Sequence, residues 1–429
     1  MLAPAGAVRT LTGATSTPLF PTAAPGAVQA RGDARGLNAS GQVTGAAYGL
    51  VPGSVDFVPY RWTSGSGAVE ISGCCDTQWG ADINDAGVVT GTTQVSQIVG
   101  TRGFVAVGTS LVPLPILAGA DPAGNAGAVA INDAGQIVGY SPAPGGFPHA
   151  VLWSAAGVIQ DLGTLGGTNS SAIDVNASGQ VIGSSQIAGN AATHFFLWSS
   201  ATGMQDLDTV IGPAITSVVE INDAGQISGT YTTAGGQSHA FLYTPGSGLR
   251  DLGTLGGATS TPTGLNDLGQ VVGRSTTAAG ATHAFLWTAT DGMEDITAIT
   301  GIPDVGRLND QLQTVSGWVS PGSPVSLTTA VVPRLVQLQF TAAGSDAPPV
   351  AAFTWSCERN KCTFDARSST DDKGIVAYAW DLDRDKGGGK TRGAVVKTTY
   401  PKGGTHDVML TVTDTKGQTS SVTKTVALP

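Results

Sequence analysis

AINDAGQIVG, residues 130–139, is the stretch whose reading decides the fold. Asn-Asp-x-Gly sits there between two apolar runs. That is hairpin chemistry: the Asx side chains bond the local backbone, and Gly supplies a positive φ. The phrase returns along the chain as GLNASGQVTG (36–45), DINDAGVVTG (82–91) and DVNASGQVIG (174–183). It returns again as EINDAGQISG (220–229), GLNDLGQVVG (264–273) and RLNDQLQTVSG (307–317). The marker residues Asn38, Asn84, Asn132, Asn176, Asn222, Asn266 and Asn309 are separated by 46, 48, 44, 46, 44 and 43 positions. A period near 45 is the length of a four-stranded propeller blade.

Each copy reads as four strands. In the fourth, SAIDVN is strand A and QVIGSS is strand B; HFFLW is strand C and MQDL is strand D. Short strands, apolar on both faces, cannot each bury a core alone, but they cover one another when stacked radially. The expectation is an all-β chain, with a seven-bladed β-propeller over residues 1–345. The segment VRTLTGATSTP (8–18) resembles RDLGTLGGATSTP (250–262), so it is expected to supply an outer strand that joins the last blade to the first.

Strands C and D carry a second regularity, seen in HAFLYTPGSGLRDL (239–252). A histidine is followed twelve positions later by an aspartate in four copies: His149 with Asp161, His194 with Asp206, His239 with Asp251 and His283 with Asp295. A constant spacing across a hairpin predicts that the two side chains lie opposite each other. One geometry repeated in four blades reads as a structural bolt between buried groups, not as one converged catalytic site.

Composition narrows the function. Gly is 61 of 429 residues, yet 41% are hydrophobic, which excludes a disordered chain. Residues 1–345 hold no Lys, nine Arg and 21 acidic residues, for 9 − 21 = −12; residues 346–429 hold 12 basic and ten acidic residues, for +2. So acidic a first region is a poor partner for nucleic acid. No apolar run is long enough to span a bilayer. The four cysteines form two close pairs without zinc spacing, Cys74 with Cys75 and Cys357 with Cys362. In such a Lys-poor, Gly- and Thr-rich chain they predict disulfides and an extracellular or cell-surface location.

The units G-Q-[VI]-[VI]-G, H-A-F-L-W and D-L-G-T-L-G-G resemble the HAF family of extracellular repeats. The family letters stand here as His239-Ala240-Phe241 and His283-Ala284-Phe285. The match covers roughly residues 30–340. The resemblance implies an exported bacterial protein and no particular reaction.

Residues 346–429 break the period and read as six or seven short strands, a β-sandwich. They resemble a PKD domain, an immunoglobulin-like module. Phe364-Asp365-Ala366, Ser369-Thr370-Asp371-Asp372, Tyr378-Ala379-Trp380-Asp381 and Leu410-Thr411-Val412-Thr413-Asp414 carry the likeness. Trp380 is expected in the core. Asp381, Asp383 and Asp385 are weak candidates for a cation.

No GxSxG, HExxH or Walker loop occurs, so no catalytic residue is assigned. No cofactor is expected; Ca2+ is the weaker reading of the Asn-Asp turns and of the three aspartates. The strongest departure from the repeat is SGCCDTQWGAD, where Cys74, Cys75, Asp76 and Trp79 are ligand-binding candidates beside an expected vicinal disulfide. The leading expectation is a secreted binding or structural protein whose partner is a glycan or a surface protein. A polysaccharide lyase or glycosidase, and a subunit of a surface polymer, are the alternatives. A channel lined by Gly, Ala, Ser and Thr is expected from the central letters of strand A.

Overall fold

The structure, a computed structural model, describes residues 9–20, 31–48, 57–71, 78–94, 100–212, 214–317, 333–342, 349–371, 374–383, 389–415 and 417–428. It is an all-β chain. Helix among the described residues is limited to Leu207–Val210, Ile296–Thr300 and the 3-10 turn Ala188–Asn190. The chain divides into two compact units, Met1–Thr341 and Ala342–Pro429.

In the first unit, each of the first six copies folds into its own antiparallel sheet, with strands in the order A-B-C-D. The fourth runs Gly166–Val175, Val181–Ile187, Thr193–Ser199 and Gly203–Asp206. In the first sheet strand A is split into Arg31–Gly32 and Gly36–Leu37. The seventh sheet draws on both ends of the unit: Arg9–Pro18 pairs with Arg334–Ala342, which pairs with Gln313–Ser316. The N-terminal strand is the outer strand there, and its Leu11 N–H donates to Glu294 on the sixth sheet at 3.2 Å.

The marker asparagines join the seven copies in a closed cycle. Asn38 donates its side-chain N–H to the carbonyl of Asn84 at 2.9 Å, and Asn84 to that of Asn132 at 3.2 Å. Asn132 donates to Asn176, Asn176 to Asn222 and Asn222 to Asn266 at 2.9–3.0 Å. Asn266 then donates to Asn309 at 3.3 Å, and Asn309 back to Asn38 at 3.0 Å. The side-chain oxygen of each marker meanwhile accepts a backbone N–H of its own turn, as from Gln180 to Asn176 at 3.0 Å. The turn requires φ near +73° at its fourth residue, which is Gly in six copies. Copy seven places Leu312 there at φ +60° and buries it.

The Gly and Phe of the repeat are one device. Phe196, Phe241 and Phe285 of strand C are fully buried. Each lies against the Gly that ends the G-Q-x-x-G phrase on strand B. A Cβ at Gly273 would meet the Phe285 ring at 2.7 Å and collide with the Thr261 carbonyl. Only Gly lets the ring lie on the backbone.

The expected opposition of His and Asp is corrected. Asp206 faces Phe196, and Asp251 faces Phe241, so His and Asp sit on a diagonal. The hairpin is centred one residue further on than the midpoint of the pair, with Ser199 opposite Gly203. All four pairs still hydrogen-bond, at 2.7–3.0 Å from His Nδ1. Nor are they buried: the aspartate side chains are 22–41% exposed.

The second unit has two sheets. Thr354–Glu358, Lys361–Asp365 and Val395–Thr399 form one; Lys390–Arg392, Ile375–Asp381, Gly404–Asp414 and Thr419–Leu428 form the other. Trp380 is buried edge-on to Phe353 at 5.1 Å, and its indole N–H donates to the Gly393 carbonyl. Cys357 and Cys362 are directly paired across the first hairpin and form a disulfide.

Candidate functional site

The end of strand A sets the chemistry at the centre of the first unit. Two residues before each marker stand Gly36, Asp82, Ala130, Asp174, Glu220, Gly264 and Arg307. This corrects the expected lining of small and hydroxyl residues: three carboxylates and a guanidinium are present. Each carboxylate reaches the adjacent sheet, one residue further along the repeat. Asp82 accepts the Ile131 N–H at 3.0 Å, Asp174 accepts that of Ile221 at 2.9 Å, and Glu220 accepts that of Leu265. Arg307 forms an ion pair with Glu220. Burial pushes Asp82 up, and it raises Asp174 to about 6 although Arg307 pulls the other way.

The Glu220–Arg307 pair lines two cavities and so separates them. On the marker side lies a cavity of about 200 Å³. It is bounded by the seven asparagines, by Asp82 and Asp174, and by Asp85, Asp133, Asp223, Asp267 and Asp310. Several of those outer aspartates bond from copy to copy, as Asp223 N–H to Asp267 at 2.8 Å. Burial, with Asp223 and Asp310 close by, raises the Asp267 carboxyl.

On the other side lies a cavity of about 720 Å³. Its residues come from the middles of A strands, the later parts of B strands and the first residue of one C strand, Thr282, with Arg307. Val129, Ile173, Val219 and Thr263 line it. All four are the extra residues of β-bulges in strand A, skipped in the pairing with strand B. A bulge re-aims a side chain that regular alternation would send elsewhere. Tyr140 and Arg274 also line the cavity. They occupy equivalent places, directly after the Gly of G-Q-x-x-G, where other copies have Ser184 and Thr230. Burial raises the Tyr140 phenol, so it stays protonated near neutrality. Sequence reasoning missed this set. Its signal was available: two positions that vary from copy to copy beside an invariant marker.

Of the sequence candidates, Cys74, Cys75 and Asp76 lie outside the described residues. Trp79 is half-buried on the inner strand Gln78–Ile83, with the Arg35 guanidinium 6.0 Å from its ring, and lines neither cavity. Asp383 accepts from His406 at 3.1 Å, Asp381 ends its strand half-buried, and Asp385 lies outside the described residues. Among the described residues the set able to hold a metal ion is His194, Asp206 and Asp208, with ligand atoms within 4.8 Å of one another.

The sequence model of the PKD domain family matches residues 337–428. The second unit carries a PKD domain. The match begins inside the strand Arg334–Ala342. The chain is similar to the PKD1 domain of Vibrio anguillarum Epp, at 30% identity over 20% of this chain and 96% of that one, with a TM-score of 0.18. It is similar to a carbohydrate-binding module of the β-sandwich superfamily, at 34% identity over 19% of this chain and 35% of that one, TM-score 0.18. TolB from Acinetobacter baumannii matches 59% of this chain and 62% of its own at 11% identity, TM-score 0.40. No curated protein matches the chain significantly. No helix among the described residues is long and apolar enough to cross a membrane.

Proposed function

We propose that the first unit is a seven-bladed β-propeller of HAF-like repeats, and that it binds a saccharide in the larger cavity, outside the cell. The closed cycle of marker asparagines and the seventh sheet built from both chain ends support the architecture. The PKD domain acts as a spacer or second contact.

One observation carries the binding reading over the enzymatic one. Among the described residues the larger cavity holds a single carboxylate, Glu220, and Arg307 neutralises it. A glycosidase needs two carboxyl groups flanking the bond it cuts. A lyase needs a base, and the phenol of Tyr140 is held protonated by burial. What remains is a volume of ligand size with aliphatic walls and a set of hydroxyls from Ser171, Thr259, Thr261 and Thr276. Such a surface suits the C–H faces and hydroxyls of a sugar.

The test is calorimetry on the full chain with a panel of oligosaccharides. A Thr261→Trp variant, which fills the cavity, is expected to lose binding. Turnover of any panel member by the wild type, or binding that survives Thr261→Trp, overturns the reading.

A further inference from the structure

We infer that the saccharide is acidic, and that its carboxylate docks on Arg307 and Arg274 at one end of the larger cavity; this rests on the binding reading above.

The argument begins with an unsatisfied donor. Arg307 is 13% exposed at its side chain, and one terminal nitrogen is bound to Glu220. Its Nε–H is buried and has no hydrogen-bond partner. A guanidinium with an unmet donor is short of acceptors, which leaves its positive charge open to an anion in the adjoining cavity. Arg274 also lines this cavity. It is 44% exposed, and among the described residues its ion pair is a 3.8 Å contact to Asp304, so its guanidinium can turn to a ligand.

Charge counting gives the sign. The larger cavity carries two guanidinium groups against one carboxylate. The marker-side cavity carries eight carboxylates, Asp82, Asp85, Asp133, Asp174, Glu220, Asp223, Asp267 and Asp310, against Arg307 alone. Residues 1–345 contain nine arginines and no lysine, and two of the nine line this one cavity. An anion is refused on one side of the ion pair and accepted on the other. A guanidinium is also the group best matched to a carboxylate, because its planar fork makes two parallel bonds.

The surroundings select the rest of the ligand. Ile173, Val219 and Val129 offer an apolar wall, and the threonines supply hydroxyls for ring substituents. The unit is acidic elsewhere, which disfavours a densely charged polymer; charges are screened only beyond about 8 Å at physiological salt. A short oligosaccharide bearing one seated uronate satisfies both conditions.

The experiment uses the full chain and short uronate-bearing oligosaccharides, each matched with its carboxyl-reduced neutral form and with a sulfated counterpart. Calorimetry is expected to show at least tenfold weaker binding of the neutral form. Arg274→Gln, an exposed position whose loss leaves the fold intact, is expected to weaken the uronate about tenfold and leave the neutral form unchanged. Equal affinity for the matched forms, or equal weakening of both by Arg274→Gln, overturns the acidic assignment while saccharide binding stands. Preference for the sulfated counterpart overturns the carboxylate. If no oligosaccharide of either kind gives heat that Thr261→Trp abolishes, the binding reading itself falls.

Discussion

The two cavities of the first unit are built on the same repeat, the smaller from all seven copies and the larger from copies three to seven, yet they obey different rules. On the marker side the side-chain N–H of each marker asparagine is committed to the neighbouring copy. The asparagines bond to one another, and the aspartates bond to backbone N–H groups. On the other side the lining comes from bulge residues and from the position after G-Q-x-x-G, which differ from copy to copy. Only Arg307 and Glu220 serve both. The contrast teaches where a repeat protein keeps its individuality: closure demands identical residues, so recognition is left to positions that closure does not use.

The sharpest way to break this contrast is a pair of substitutions. Asn222→Ala removes buried bonds to Asn266 and Gln226 and leaves the Gln226 N–H without its acceptor. Chemical denaturation should show a loss of about 2–3 kcal/mol, while the folded variant still binds its ligand. Thr261→Trp should do the reverse. If Asn222→Ala abolishes binding at temperatures where it stays folded, the two sides are not independent.

A comparable effect, dependent on pH, is expected on the marker side of the partition. Asp174 has a folded pKa of about 6 against an ordinary value of 3.8. Between those values the folded chain holds a proton that the unfolded chain lacks. Stability therefore rises as pH falls through 6, and levels off below 3.8. Above both values the buried charge costs on the order of 3 kcal/mol. Asp174→Asn should raise the melting temperature at pH 7.5 and flatten its rise towards pH 5. A variant that melts lower at pH 7.5 would show that the carboxylate is needed charged.

The smallest effect belongs to the outer edge, away from both cavities. His239→Ala should cost less than about 1 kcal/mol, because the pair with Asp251 is exposed to solvent. Burial raises Asp251, but the Gly253 N–H and His239 outweigh it and hold the carboxyl below its usual range. The contribution of this carboxylate is therefore present at neutral pH and is lost as pH falls through its depressed value. A loss of 3 kcal/mol on His239→Ala would restore the buried-bolt reading.

Much of this was legible in the sequence because it is local. Asn-Asp-x-Gly specifies a turn, the spacing of the markers specifies the copies, and the likeness of 8–18 to 250–262 specifies the strand that completes the seventh sheet. Cys357 and Cys362 flank a tight hairpin, so their pairing follows. The cavity was not legible for a physical reason. A bulge adds one residue and reverses the alternation beyond it, so Ile173 and Val219 read as ordinary core letters. The His and Asp register failed because a spacing of twelve does not state where the hairpin is centred.

The seventh sheet has a consequence in time. Its outer strand, Arg9–Pro18, is made some 320 residues before its partner, Arg334–Ala342. At a ribosomal rate of about 5–20 residues per second, the early strand waits tens of seconds with an unpaired edge. During that interval six sheets can form but nothing can seal them. The seventh sheet thus forms in one late event, after residue 342 has emerged, and until then any partner offering a strand edge competes with Arg334–Ala342 for the early strand.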